Sequence, residues 1–148
     1  MSTVNPSPDR RHAPRLEHVH VADVMHAGIV TCAPDTPLRE VARIMGERRI
    51  HCVAVADTAQ GVSAWSIVSD LDLVGAAAAG SVEARTAGDI AASETLTISD
   101  DDVLARAIQL MHEHQAPHLV VVGAATGRPI GVLSTLDVAG LLAWHENG

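Results

Sequence analysis

Apolar residues fall along this chain with two different periods, and the same succession of periods occurs twice. In DTPLREVARIMGERR, starting at Asp35, residues Leu38, Val41, Ala42, Ile44 and Met45 share one helical face. The spacing predicts an amphipathic helix with Thr36 as N-cap and Pro37 as its first residue. In SDDDVLARAIQLMHEH, starting at Ser99, the face is Leu104, Ala107, Ile108 and Met111, and the Asp run complements the helix N-terminus. A short apolar run follows each helix, CVAVA or HLVVV. A turn segment comes next, DTAQG or GAATGRP, and then a second run, AWSIV or IGVL. Both copies end in a last helix, DLVGAAAA or DVAGLLAWH, and both begin with a short strand, GIVTC or TLTIS. The predicted unit is strand, helix, strand, strand, helix, a mixed α/β (α+β) class.

Shifted by 66 positions, the chain overlays itself without a gap for some thirty residues. Asp23 meets Asp89, Thr31 meets Thr97, Leu38 meets Leu104 and Met45 meets Met111; further on the offset is 65, and Ser69 and Asp72 meet Ser134 and Asp137. Two copies of about 60 residues would each have a marginal core alone, so they are expected to pack with pseudo-two-fold symmetry and share one. The expected division is a disordered tail over 1–15, a first motif over 16–80, and a linker and second motif over 81–148. The tail reading rests on its Pro, Ser and Arg content.

Apolar residues make up 47% of the 148, with no Phe or Tyr and only two Trp, so the core must be aliphatic. The net charge of −8 argues against non-specific binding to nucleic acid or anionic membrane. No apolar run reaches the roughly 18–20 residues of a membrane span, and the N-terminus has no apolar signal region. Cys32 and Cys52 lie in apolar stretches with no CxxC, which reads as two buried thiols in a reducing compartment. A cytoplasmic location is the expectation.

Ser-x-x-Asp stands after a short strand in both copies. As pure structure it is a capping box: Ser69 and Ser134 accept early helix amides, and Asp72 and Asp137 sit at the positive end of the helix dipole. As chemistry, the same place offers free amides to a polar ligand, and a carboxylate there suits a ribose diol better than a phosphate. Gly131 would let backbone approach a base or sugar; in the first copy Ser66 replaces that glycine, beside Trp65.

With VADVM and AGDIA before the helices, the strand HLVVV, and above all GVLSTLD, the chain resembles the CBS domain, and its tandem resembles a CBS pair, or Bateman module, over about residues 19–145. The resemblance implies binding of an adenosine-containing ligand such as AMP, ADP, ATP or S-adenosylmethionine. It further implies dimerisation into a flat disc and a role in sensing or regulation. It places Ile50 and His51 of the first copy with Pro117, His118, Val132, Ser134 and Asp137 around one ligand. The second site takes Ile67, Ser69 and Asp72, with Ala116 and Pro117 opposite. His51 stands where a proline is common, and Pro117 keeps one in the second copy.

Arg48, Arg49 and Arg128 are candidate cations for a phosphate, though each also reads as a solvated surface arginine. The second copy has His114 and Gln115 in place of Arg48 and Arg49, so cationic support is uneven. The nine histidines include His18 and His20 on one strand face, but no HExxH or Cys/His spacing marks a metal site. No catalytic constellation appears: neither GxSxG nor a phosphate-binding loop is present, and Cys52 and His51 would point to opposite faces of a strand. The expectation is a non-enzymatic regulatory module that needs no cofactor beyond its adenosine ligand, forms a homodimer and acts on a separate effector protein. The alternatives are a ligand-free CBS pair serving as a dimerisation scaffold, and a metal-binding protein.

Overall fold

The computed structural model describes residues 16–56, 65–91 and 96–147. The expected tail over 1–15 and the first-copy turn over 57–61 lie outside the described residues. In chain order the elements are a 3-10 turn Val21–Asp23, β1 His26–Ala27, β2 Thr31–Cys32, α1 Leu38–Arg48, β3 Cys52–Ala56 and β4 Trp65–Ser69. There follow α2 Asp70–Ala78, a 3-10 turn Val82–Ala84 and α3 Ala87–Ile90. The second copy supplies β5 Thr97–Ser99, α4 Leu104–His114, β6 His118–Val122, β7 Pro129–Ser134 and α5 Thr135–Asn147. The chain divides into two compact units. Of the described residues, one unit holds 16–28 and 96–147 and the other 29–56 and 65–91.

In the unit of residues 29–91, the sheet order is β2-β3-β4. β2 runs parallel to β3 across the α1 crossover, and β4 returns antiparallel with Ala54 opposite Ile67. α1 turns Leu38, Val41 and Met45 inward against Val53, Val55 and Val68, so the predicted apolar face is the buried one. The helix begins one residue later than Thr36 and Pro37 suggested. Pro37 is itself the cap, extended at φ −57 and ψ 141, and its carbonyl accepts the amides of Glu40 and Val41. A bridge to Thr86 holds Pro37 in that extended form. The residues between the copies fold onto this unit: Leu38 N–H donates to Arg85 O, and Ala87 N–H to Thr36 O. At the start of α3, Thr86 N–H donates to the Asp89 carboxylate at 2.8 Å, holding that group below the usual carboxylate range.

The other unit repeats the plan and adds a strand, giving the order β1-β7-β6-β5. Leu104, Ala107 and Met111 of α4 pack on Ile98, Leu119, Val121 and Leu133, with Val21 fully buried among them. The segment before the first copy is thus stitched to the second. Val21 N–H donates to Asp102 O, Leu104 N–H to Val19 O, and β1 pairs antiparallel with β7. The Asp run does not enter the first turn of α4. Asp102 instead accepts Ser99 N–H at 3.3 Å, closing the turn that precedes the helix, and Asp100 accepts Ala124 N–H at 2.9 Å, tying that turn to the segment after β6. α1 and α4 both end on a left-handed residue at equivalent positions, Arg49 at φ 54 and Gln115 at φ 52.

Candidate functional site

The end of β7 and the start of α5 set the geometry of the second Ser-x-x-Asp. Ser134 N–H donates to Asp137 Oδ2 at 2.8 Å, and Asp137 N–H donates to Ser134 Oγ at 3.1 Å. This is the reciprocal capping box expected from the sequence. The remaining carboxylate oxygen, Oδ1, lies 2.8 Å from Nδ1 of His26. The two partners differ sharply in exposure: the Asp137 side chain is 7% exposed and the His26 side chain 80%. His26 stands on β1 opposite Val132, and its neighbour Ala27 stands opposite Gly131. Gly131 is accounted for by that strand, because a Cβ there would meet His26 O at 2.4 Å. The backbone that Gly131 admits in this structure belongs to the chain itself rather than to a base or sugar.

Around this junction the unit gathers Ala116, Pro117, His118, Val132, Ser134 and Asp137. Thr135 N–H donates to Pro117 O at 3.0 Å, and His118 stands opposite Ser134 across β6 and β7. Val132 pairs with Val120. A pocket of about 520 Å³ opens between α4 and α5, walled by Ile108, Met111 and Val138 and rimmed by Gln115, Ala116 and Pro117. Of the expected site residues only Ala116 and Pro117 reach it, and its lining is mixed, with His112, Gln115 and Thr135 beside the apolar side chains.

The other unit gathers Ile50, His51, Ile67, Ser69 and Asp72. The capping box recurs there, with Ser69 N–H to Asp72 Oδ2 at 2.8 Å and Asp72 N–H to Ser69 Oγ at 3.2 Å. Asp70 N–H donates to His51 O at 2.8 Å, the counterpart of the Thr135–Pro117 bond. The His51 ring lies 3.0 Å from Asp70 Oδ2, with both side chains about half exposed. Ile50 is half-buried, and Ile67 is buried at 5% exposure. Arg48 and Arg49 are exposed at the end of α1, and Arg128 is exposed in the turn before β7.

The thiols are not activated nucleophiles. Cys52 is buried, and burial first, then the negative Asp70, pushes it up to about 11. Cys32 is only half-buried, a departure from the expectation of two buried thiols, and burial raises it too. Among the described residues no group of three or more His, Cys, Asp or Glu is placed to hold a metal ion. No described helix is long and apolar enough to cross a membrane. His26 is the site residue that sequence reasoning missed. It carries no local signal, because its strand finds its partner more than a hundred positions away.

A family profile for the CBS domain matches residues 21–79 and again 87–143. The chain is a member of the CBS domain family. Solved CBS pairs share its fold. The CBS domain protein PAE2072 from Pyrobaculum aerophilum, complexed with AMP, is 24% identical, with a TM-score of 0.73 over 88% of this chain and 100% of that one. The CBS domain pair of protein MJ0100, in complex with 5-methylthioadenosine and S-adenosyl-L-methionine, is 18% identical at TM-score 0.73, over 85% and 97% of the two chains. Hypoxic Response Protein I, with two coordinated zinc ions, is 22% identical at TM-score 0.66, over 82% and 98%. No curated protein matches the chain in sequence. The CBS match covers both capping boxes, and the start of the first match, Val21, is the buried residue that joins the N-terminal segment to the second copy.

Proposed function

We propose that this CBS pair is a cytoplasmic regulatory module that binds an adenosine-containing ligand and acts on a separate effector, without catalysis of its own. The observation that carries the reading is the Asp137 carboxylate. It is ionisable yet only 7% exposed, fixed through one oxygen at a helix N-terminus, with its other oxygen meeting a largely exposed partner. A ribose diol can donate two hydrogen bonds to such a group, and hydrogen bonds to charged groups are the strong ones. Two solved CBS pairs of the same fold hold AMP, or methylthioadenosine with S-adenosylmethionine, which supports the ligand class. Asp72 is the counterpart carboxylate for a second ligand. The residues Ile50, His51, Ile67, Ser69, Ala116, Pro117, His118, Val132 and Ser134 complete the proposed contacts. The test is a calorimetric titration with AMP, ADP, ATP and S-adenosylmethionine in turn. Saturable binding of at least one is expected, and heats of dilution alone for all four would contradict the proposal.

Both carboxylates already have protein partners in their capping boxes, which favours a second reading, a ligand-free dimerisation scaffold. Both readings share a homodimer. Leu71 and Leu136 occupy the same place in the repeat and are 74% and 77% exposed, with Val74 and Leu142 exposed on the same two helices. Leucines so exposed on α2 and α5 are proposed to be covered by a second copy of the chain.

A further inference from the structure

The oxygen of Asp137 that a ribose would use is taken. His26 Nδ1 holds Oδ1 at 2.8 Å, while Ser134 N–H holds Oδ2. The backbone of His26 is fixed: Gly28 N–H donates to Ile130 O at 2.7 Å, and β1 lies so close to β7 that Gly131 admits no side chain. The ring, by contrast, stands largely in solvent. At 80% exposure it has little packing to lose, so rotating it into water uncovers a nearly buried carboxylate at small cost. Resting on the adenosine reading above, we propose that His26 is a proton-sensitive gate on the Asp137 end: its imidazole competes with the ribose diol for Oδ1, and the ligand binds by displacing it.

Acid closes this gate. An imidazolium donates a charge-assisted bond to the carboxylate, whereas a neutral ring donates from Nδ1 in one tautomer only. The protonated ring is the stronger competitor for Oδ1, so ligand affinity falls in acid. The titratable group facing the ring is Asp137 on α5, and β7 carries none between Pro129 and Ser134. His118, on β6, lies opposite Ser134, and Asp23, on the turn before β1, accepts His20 N–H at 3.2 Å. Substituting His26 alone separates its part from theirs. The gate is also one-sided. At the repeat offset of 66, the counterpart of His26 is Ala92, which carries no imidazole.

The experiment uses the full chain carrying Asp72→Ala, so that the Asp137 end is read alone. AMP and 5′-methylthioadenosine are titrated at pH 8 and pH 6 into this chain and into versions that add His26→Ala or His26→Asn. The affinity ratio between versions at one pH cancels any ionisation of the ligand. His26→Ala is expected to bind more tightly at both pH values, by about tenfold at pH 6 and less at pH 8. His26→Asn keeps an N–H near the place of Nδ1 but cannot gain charge, so its disadvantage against His26→Ala is expected to be the same at both pH values. On ligand addition, the His26 ring resonances should move toward those of the Asp137→Ala chain. A His26→Ala affinity no tighter than that of the His26 chain, or an advantage that does not grow in acid, overturns the gate. Absence of binding even in the His26→Ala chain overturns the adenosine reading at the Asp137 end.

Discussion

Asp137 joins three roles in one side chain: it caps α5, accepts His26, and is the proposed ribose acceptor. The first two are geometry and the third is chemistry, and substitution separates them. Asp137→Ala removes a cap bond and a helix-end charge, so thermal or denaturant unfolding should show a loss of about 1 kcal/mol. A loss above about 3 kcal/mol would mean that the carboxylate is primarily structural. The Ser-x-x-Asp pairs were legible in the sequence because a capping box is a local pattern. The role of Gly131 was not, since what fills the space beside it arrives from His26. His26 itself was invisible for the same reason.

Helices and strands were legible wherever their period is strong. Leu38, Val41 and Met45, and their counterparts Leu104, Ala107 and Met111, are buried as the 3.6-residue spacing requires. Boundaries set by tertiary contacts were less so. The α1 cap moved to Pro37 because Thr86 pairs with it, and the Asp run was spent on the turn before α4. β1 is two residues long and has no period at all; it exists because β7 offers an edge. A chain starting at Leu16 should melt within a few degrees of the full chain, since residues 1–15 are polar, rich in proline and outside the repeat. A chain starting at Ile29 loses the buried Val21 and the β1 pairing, and should melt far lower or fail to fold cooperatively. Equal melting of the two truncations, followed by circular dichroism, would contradict this.

For the whole molecule, the repeat and the compact units follow different boundaries. VADVM opens the first copy yet packs in the unit of the second, while AGDIA opens the second copy and packs in the unit of the first. A sequence overlay reveals the repeat but not this exchange, because both segments fit the pattern wherever they pack. The exposed leucines of α2 and α5 argue for association at the next scale. Sedimentation at micromolar concentration should give a mass near twice 15.5 kDa, and a monomer that persists at high concentration would contradict the dimer. The ligand claim is tested most directly by calorimetric titration of an adenosine nucleotide into the wild-type chain and into Asp137→Ala. The wild type should bind, and the variant should lose affinity at that end on the order of a hundredfold or more, two charge-assisted hydrogen bonds being gone. If Asp137→Ala binds as well as the wild type, the carboxylate does not hold a ribose and Ser134–Asp137 is a helix cap alone.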